Sequence, residues 1–281
     1  MALSLSGVAQ QLFASEVKQA YQAMSSSLRG TCRVRSGVVG DIYKFRKMGK
    51  GLATERTAPQ TDVVPMDIQH SLVDCTLSNF DASEFTDIFQ AATVNFDERR
   101  ELAQCIGGAL NRRLDQLILD AVAAATPVAT IAVGGANLTI AKMAEAAKLL
   151  NANEVPSTDR CLVVHADQIE ALMSVTQVTS SDYNTVKALV RGDVNTFLGF
   201  KFIVLGDRSE GGLEKTGNNR SCFAYHKTAM GLCTGIDLTT EVNYVPQKKS
   251  WLASGHFRAG AVAIEGGTAG GIVEIVCDET Q

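Results

Sequence analysis

Residues 188–207 read ALVRGDVNTFLGFKFIVLGD, and the order of signals within them decides the fold. A short apolar helix pattern runs into Arg191-Gly192-Asp193, a turn. Gly199 then breaks the chain, and FKFIVL alternates as a strand before Gly206-Asp207 stops it. Upstream, residues 156–173 (PSTDRCLVVHADQIEALM) place a buried strand directly before a short helix. Before that, Thr139–Asn151 (TIAKMAEAAKLLN) has helical spacing and ends near Pro156. The three pieces make one compact α/β unit. Downstream, 208–221 is a polar, glycine-containing loop, and the tail alternates strands and turns: CFAYHKTAMGLC, TTEVNYV, HFRAGAVAI and GIVEIVCD.

Further towards the N-terminus the strongest helix spans about 95–125. Leu102, Ile106, Ala109, Leu110, Leu114, Leu117, Ile118 and Ala121 trace one face at helical period. At ~1.5 Å per residue it would be roughly 45 Å long, a beam and not a catalytic loop. Gly107-Gly108 inside it predicts a bend or a close backbone contact. Ahead of the helix, TCRVRSGVV, DIYKF and VVPMDIQHSLVDCTLSNF alternate around a turn (KMGKG) and a polar stretch. They predict a long two-stranded excursion with Lys and Gly at its tip, which cannot bury a core alone and should lie against something else. Residues 1–30 read as an arm with one weakly amphipathic helix.

The 281 residues are 46% hydrophobic and 20% charged, an ordinary globular composition. The net charge of −4 argues against a uniformly basic nucleic-acid coat. Its distribution is uneven: residues 1–60 hold nine Lys/Arg and three acids, a net of +6, leaving −10 for the rest. A basic leading segment on an acidic body binds nucleic acid or clasps an acidic neighbour. Seven cysteines without a CxxC spacing read as reduced, mostly buried thiols. The uncharged run 121–141 is broken by Pro127, Gly134, Gly135 and Asn137, so it reads as helix end, strand and turn, and the protein as soluble.

The chemistry of an enzyme is missing from the pattern. His70, His165, His226 and His256 have no HxH or HExxH spacing. Cys222 and His226 fall on one strand face and Cys233 on the other, against a shared metal. GLEKTG at 212–217 lacks the glycine before the lysine that a phosphate loop needs, and there is no GxSxG elbow. GGTAGG at 266–271 reads as a hairpin turn between the two terminal strands. No catalytic, cofactor-binding or metal site is expected.

The whole order resembles the major capsid protein of tailed bacteriophages, of Hong Kong 97 type. ALVRGDVNTFLGFKFIVLGD looks like that family's helix, Gly turn, "LGF" and strand. PSTDRCLVVHADQIEALM is similar to its axial strand–helix unit, and HFRAGAVAI…GIVEIVCD to its last strands. The resemblance implies an α+β fold with an N-terminal arm (1–30), an extended β-hairpin loop (31–75), a peripheral domain (76–135 and 236–281) carrying the spine helix, and an α/β axial domain (136–235). It implies an icosahedral shell built from pentamers and hexamers of this chain, with a separate scaffolding protein, a portal, possible decoration protein and packaged double-stranded DNA bound without sequence specificity. Synthesis would be in the host cytoplasm. The chain starts almost at the arm, which puts any scaffold on another protein or removes it earlier. Lys44, Lys47 and Lys50 lie in the loop, but no asparagine partner for a covalent cross-link matches. An encapsulin-type bacterial compartment has a similar fold and is the alternative.

The charge split suggests how subunits meet. Arg46, Lys47, Lys50 and Arg56 of one loop would lie over Asp81, Glu84, Asp87, Asp97 and Glu101 of the next subunit. The rival for the leading charges is DNA contact through Lys18, Arg29, Arg33 and Arg35.

Overall fold

The computed structural model describes residues 23–60, 62–91, 98–174 and 196–280. Lys18, Asp97 and the Arg191-Gly192-Asp193 turn lie outside them. The chain divides into two compact units. One gathers the described parts of Met1–Ser25, Asn79–Arg112 and Leu238–Phe257; the other gathers Ser26–Ser78, Arg113–Asp237 and Arg258–Gln281.

The larger unit is organised by a sheet in which β5 (Thr130–Ile131), β13 (Ile272–Asp278), β10 (Asn219–His226), β6 (Arg160–His165), β8 (Phe200–Leu205) and β7 (Thr196–Phe197) lie side by side in that order, with β9 (Lys215–Thr216) also on β10. All six residues of β6 are buried, and its apolar centre, Cys161–Val164, suits a central strand. It pairs in parallel with β8 and antiparallel with β10. The glycine turn and following strand read from 199–205 hold, and the structure adds a short strand before them: Leu198-Gly199 turn with positive φ between β7 and β8. α3 (Ile140–Ala152) begins where Thr139 accepts from the Lys142 backbone N–H, and α4 (Ala166–Ser174) follows β6 directly.

Charged side chains close the gaps that this packing leaves. Lys142, 8% exposed, donates its ammonium to three carbonyls, Val133 (2.8 Å), Ala136 (2.6 Å) and Val276 (2.9 Å). It ties the loop before α3 to β13. Buried Arg160 donates to the carbonyls of Val155 and Pro156 and to the Asn151 side chain, tying β6 to the chain that leaves α3.

Two expectations change. Among the described residues the excursion is paired only between β2 (Ile42–Met48) and β3 (His70–Thr76), and those of 49–69 contain no strand. The first alternating stretch is not part of it: β1 (Arg33–Arg35) runs parallel to β11 (Met230–Val245) instead, with Val34 opposite Leu232. GGTAGG is also not a hairpin turn. It leads from β12 (Ser250–Ala263), in another sheet, to β13. Its backbone bonds go elsewhere, Gly267 N–H to Thr126 and Gly271 N–H to Glu265. Period-two alternation shows that a segment is a strand, but not which strand it pairs with.

The smaller unit holds most of β4 (Ser78–Asp87), the short α1 (Ile88–Ala91), the first half of α2 (Glu98–Ala123) and the facing ends of β11 and β12. Phe80 stacks on Phe257 at 5.1 Å, and Tyr244 packs on Trp251 at 5.3 Å. At Gly255 an added Cβ would fall 2.7 Å from Leu110 and 2.8 Å from Ile106, so α2 lies directly on bare strand backbone. α2 ends two residues before the helix read from sequence, whose expected first residues, 95–97, lie outside the described ones. Its two glycines separate in role. Gly108 would press a Cβ against Met24 Sδ (3.0 Å) and the Ala23 carbonyl (3.4 Å), the close approach predicted for this pair, whereas Gly107 faces open space. Gly107→Ala should therefore stabilise the protein by about 0.5–1 kcal/mol, the usual helix-interior gain. Gly108→Ala should lose that gain to the arm contact. Parallel urea titrations of the two variants test this.

Candidate intersubunit surface

The hairpin has two chemically different faces. Cross-strand register puts Tyr43 opposite Cys75 and Phe45 opposite Val73 on one side, and Ile42, Lys44, Arg46 and Met48 opposite Thr76, Asp74, Leu72 and His70 on the other. The first side is the seat. Phe45, Cys75, Leu77, Cys233 and Ile264 form a buried cluster, with Tyr43, Val73, Val38 and Val262 packed around it. Arg33 and Arg35 lay their guanidinium groups over the Phe45 and Tyr43 rings, at 5.8 and 6.0 Å. Arg258 pairs with Asp41 at the hairpin's start. The excursion does lie against something, and over its paired length that something is its own chain.

The second side and the tip expose large apolar side chains instead. Ile42 is 50% exposed, Met48 63% and Leu72 57%; beyond them come Leu52 at 83%, Val63 at 89%, Val64 at 66% and Met66 at 54%. Seven large apolar side chains exposed on one element make it the candidate surface for a partner. Their signal was present in the sequence, as apolar residues in a stretch too polar and too long to fold on itself.

The four candidate cations fare differently. Lys47 Nζ is 2.6 Å from Glu265 Oε2 with both side chains about two-thirds buried, and Lys50 Nζ is 3.3 Å from Glu154 Oε2 with both exposed. Lys44 pairs across the strands with Asp74 at 3.3 Å. Arg46 and Arg56 are exposed and have no ion pair among the described residues. Of the candidate acids, Asp81 and Asp87 share one parity of β4 and Glu84 has the other, so strand alternation separates them. Asp87 accepts from the Phe89 N–H at 2.7 Å, opening α1, and Glu84 accepts from the Phe85 N–H at 3.4 Å. Exposed Phe85 and Phe89 sit among these acids, with Lys248 4.0 Å over the Phe85 ring. Glu101 lies on α2 and engages within its own chain.

Sequence reasoning missed the buried ion network at the chain's C-terminal end. Arg220, on β10, pairs with Glu279 and with Asp207 (2.9 Å). Glu279 also receives Lys215 at 2.5 Å and the Gln168 side-chain N–H at 3.1 Å. His165 lies between Asp167 (3.3 Å) and Asp207 (3.4 Å). His165, Asp167 and Glu279 bring ligand-type atoms within 4.8 Å of one another. The Glu279 oxygens, however, are spent on Arg220 and Lys215, and two cations at the same spot repel a third. The network anchors the C-terminus. Burial alone would raise the Glu279 pKa, but the hydrogen bonds from Arg220, Lys215 and Gln168 win and lower it to about 2. A carboxylate held below its ordinary value contributes stability above pH ~4.5 that is lost as pH falls towards 2, at most ~3 kcal/mol. Acid titration of thermal stability should show this loss, and Glu279→Gln should flatten the profile below pH ~4.5.

The cleft beside β6, about 800 Å³, is lined by Ser157, Thr158, Asp159, Cys161, Lys201 and Lys227. Burial pushes the Cys161 thiol up, away from the thiolate a nucleophile needs. Among the described residues no helix is long and apolar enough to cross a membrane.

Comparison with known proteins agrees with the architecture. The capsid of cyanophage P-SCSP1u superposes with a TM-score of 0.73 at 18% identity, over 99% of this chain and 95% of that one. The head of Helicobacter pylori bacteriophage KHP40 gives 0.77 at 9% identity, over 95% of each. The capsid of a native GTA particle gives 0.70 at 14%, over 99% of this chain and 100% of that one. No curated protein matches by sequence. At these identities the structures establish the fold, the Hong Kong 97-type capsid fold expected from the sequence. The profile of the family described as "Phage capsid protein" matches residues 5–279, so the chain belongs to the phage capsid protein family and is a major capsid protein that forms the shell of a phage.

Proposed function

We propose that subunits are joined in the shell by the projecting hairpin, its apolar tip and free arginines seated on the acidic, aromatic β4 face of the next subunit. The carrying observation is the run of exposed apolar side chains from Ile42 to Leu72 on an element whose other face is already seated. Arg46 and Arg56 supply unpaired charge, and Lys50 can exchange its exposed in-chain pair for one across the contact. Asp81 and Asp87, on the same strand parity as Phe85, offer the matching chemistry on that face; Glu84 on the opposite parity, Asp97 and Glu101 belong to the same proposal as flanking acids. Single exposed pairs contribute only ~0–1 kcal/mol, so the effect comes from repetition over the shell and from apolar burial.

In this reading residues 1–30 are the arm, 31–75 the extended loop, 76–135 with 236–281 the peripheral domain and 136–235 the axial domain. Pentamers and hexamers of the chain close the shell around double-stranded DNA, with a separate scaffold, a portal and a decoration protein as partners, after synthesis in the host cytoplasm. Arg33 and Arg35, held over aromatic rings, are structural members of the hairpin seat in addition to candidates for DNA contact. Joint replacement of Arg46, Lys47 and Lys50 by alanine should abolish closed shells while leaving the subunit folded. Electron microscopy and light scattering of variant and parent, with scaffold supplied, test this. Shells of normal yield from the triple variant would refute the clasp.

A further inference from the structure

Two pairs of thiols lie close together inside this protein. Cys75 and Cys233 belong to one buried cluster, and the glycines on either side of Cys233 back onto members of it, Gly231 onto Phe45 and Gly235 onto Leu77; Cys222 and Cys277 are on adjacent strands. All four are 0% exposed and all seven cysteines are free. The two pairs differ in what their backbones permit.

Cys222 and Cys277 sit on neighbouring strands of a continuous ladder, in which Cys222 is opposite Ile275 and Cys277 is opposite Arg220. They are diagonal partners, for which Cβ atoms are typically ~7 Å apart, whereas a disulfide needs ~3.5–4.5 Å. Closing that bond would require the register to move. Cys75 and Cys233 carry no such restraint. Cys75 is on β3, whose only ladder is with β2, and Cys233 is on β11, in another sheet. They meet through side chains alone, within the cluster of Phe45, Leu77 and Ile264. Of the other three, Cys32 directs its thiol at the Leu28 carbonyl (3.7 Å), Cys161 directs its thiol at the Asp159 carbonyl (3.9 Å), and Cys105 is on α2.

We propose that Cys75 and Cys233 are a latent disulfide, open in a reducing cytoplasm and closed under oxidation, that staples the base of the hairpin to β11. Both S–H bonds break and one S–S bond forms. The two protons and two electrons pass to the oxidant, dioxygen becoming hydrogen peroxide or an azo oxidant becoming its hydrazine. The neighbouring Cys75 thiol and burial push the Cys233 thiol up, so the pair resists reaction until local opening admits the oxidant. The staple fixes the part of the hairpin that does not project, and leaves 49–69 free. This goes beyond the shell contact proposed above and does not depend on it.

The test is diamide treatment of the folded full-length chain without reductant, followed by alkylation, peptide mapping and mass spectrometry. The expected result is loss of two alkylatable thiols out of seven, with a single linked peptide pair containing Cys75 and Cys233. Dithiothreitol should restore both, and a reversible rise in the thermal midpoint should accompany closure. In Cys75→Ala and, separately, Cys233→Ala the linked pair and the thermal rise should both vanish. Seven thiols still free after prolonged treatment, or a link that joins Cys222 to Cys277 or any other pair, would overturn the proposal.

Discussion

Gly260→Ala should leave almost no folded protein. An added Cβ would fall 2.0 Å from the Thr76 carbonyl oxygen, 2.9 Å from its carbon and 3.3 Å from Cys75 Sγ. The first two atoms are backbone, at the end of the strand that closes the hairpin, and cannot rotate away. The methyl forces β12 and the base of the hairpin apart, and the parting surface is the buried cluster of Phe45, Cys75, Leu77, Cys233 and Ile264. The cost combines steric strain with loss of packing in that cluster, and should reach about 4 kcal/mol or more, beyond the range of most single substitutions. Partition between soluble and insoluble fractions, with thermal unfolding of whatever remains soluble, measures it. A soluble Gly260→Ala with parental stability would mean that β12 and the hairpin base are not in contact. Gly107→Ala, the same change into open space, is the control for a general effect of replacing glycine.

The sequence carries the α/β unit well because its elements are defined locally. β6 has an apolar centre, Cys161–Val164, α3 has Thr139 to cap it, and Gly199 supplies the positive φ between β7 and β8. The long helix is equally legible from its apolar stripe. Partner choice is not. Nothing in Arg33–Arg35 says that it pairs with β11, and nothing in GGTAGG says that the strands on either side enter different sheets. Those outcomes follow from which surfaces are left to cover once the core has formed. The charge split could not show that Lys47 and Lys50 have in-chain partners in Glu265 and Glu154, each more than a hundred residues away. Buried ions are the least legible of all. Lys142, Arg220 and Glu279 look like surface residues in sequence, because composition cannot reveal three carbonyls or a counter-ion waiting inside.

Asp115→Ala is expected to release residues 26–31 from α2 and to cost about 3–5 kcal/mol, the range for leaving buried donors and a buried cation without their acceptor. Asp115 is 0% exposed on the C-terminal half of α2. One carboxylate oxygen accepts from the Ser26 hydroxyl at 2.6 Å and the Leu28 N–H at 3.1 Å; the other accepts from the Ser27 N–H at 3.1 Å and Arg208 at 3.4 Å. Leu28 is thereby turned inward, 0% exposed, and the 3-10 turn Arg29–Thr31 that follows brings Thr31 Oγ1 within 2.7 Å of the Tyr225 hydroxyl. One side chain thus fixes residues 26–28 on the C-terminal half of α2. Asp115→Asn is the informative companion. An amide keeps one acceptor oxygen but turns the other into a donor facing the Ser27 N–H and Arg208, so it should recover only part of the loss. If the carboxylate were merely filling space, Asn would behave like the parent. Limited proteolysis separates the two effects: cleavage between Met24 and Arg29 should accelerate in both variants under conditions where their sheets remain folded, whereas uniform cleavage along the chain would show global destabilisation and no anchoring role.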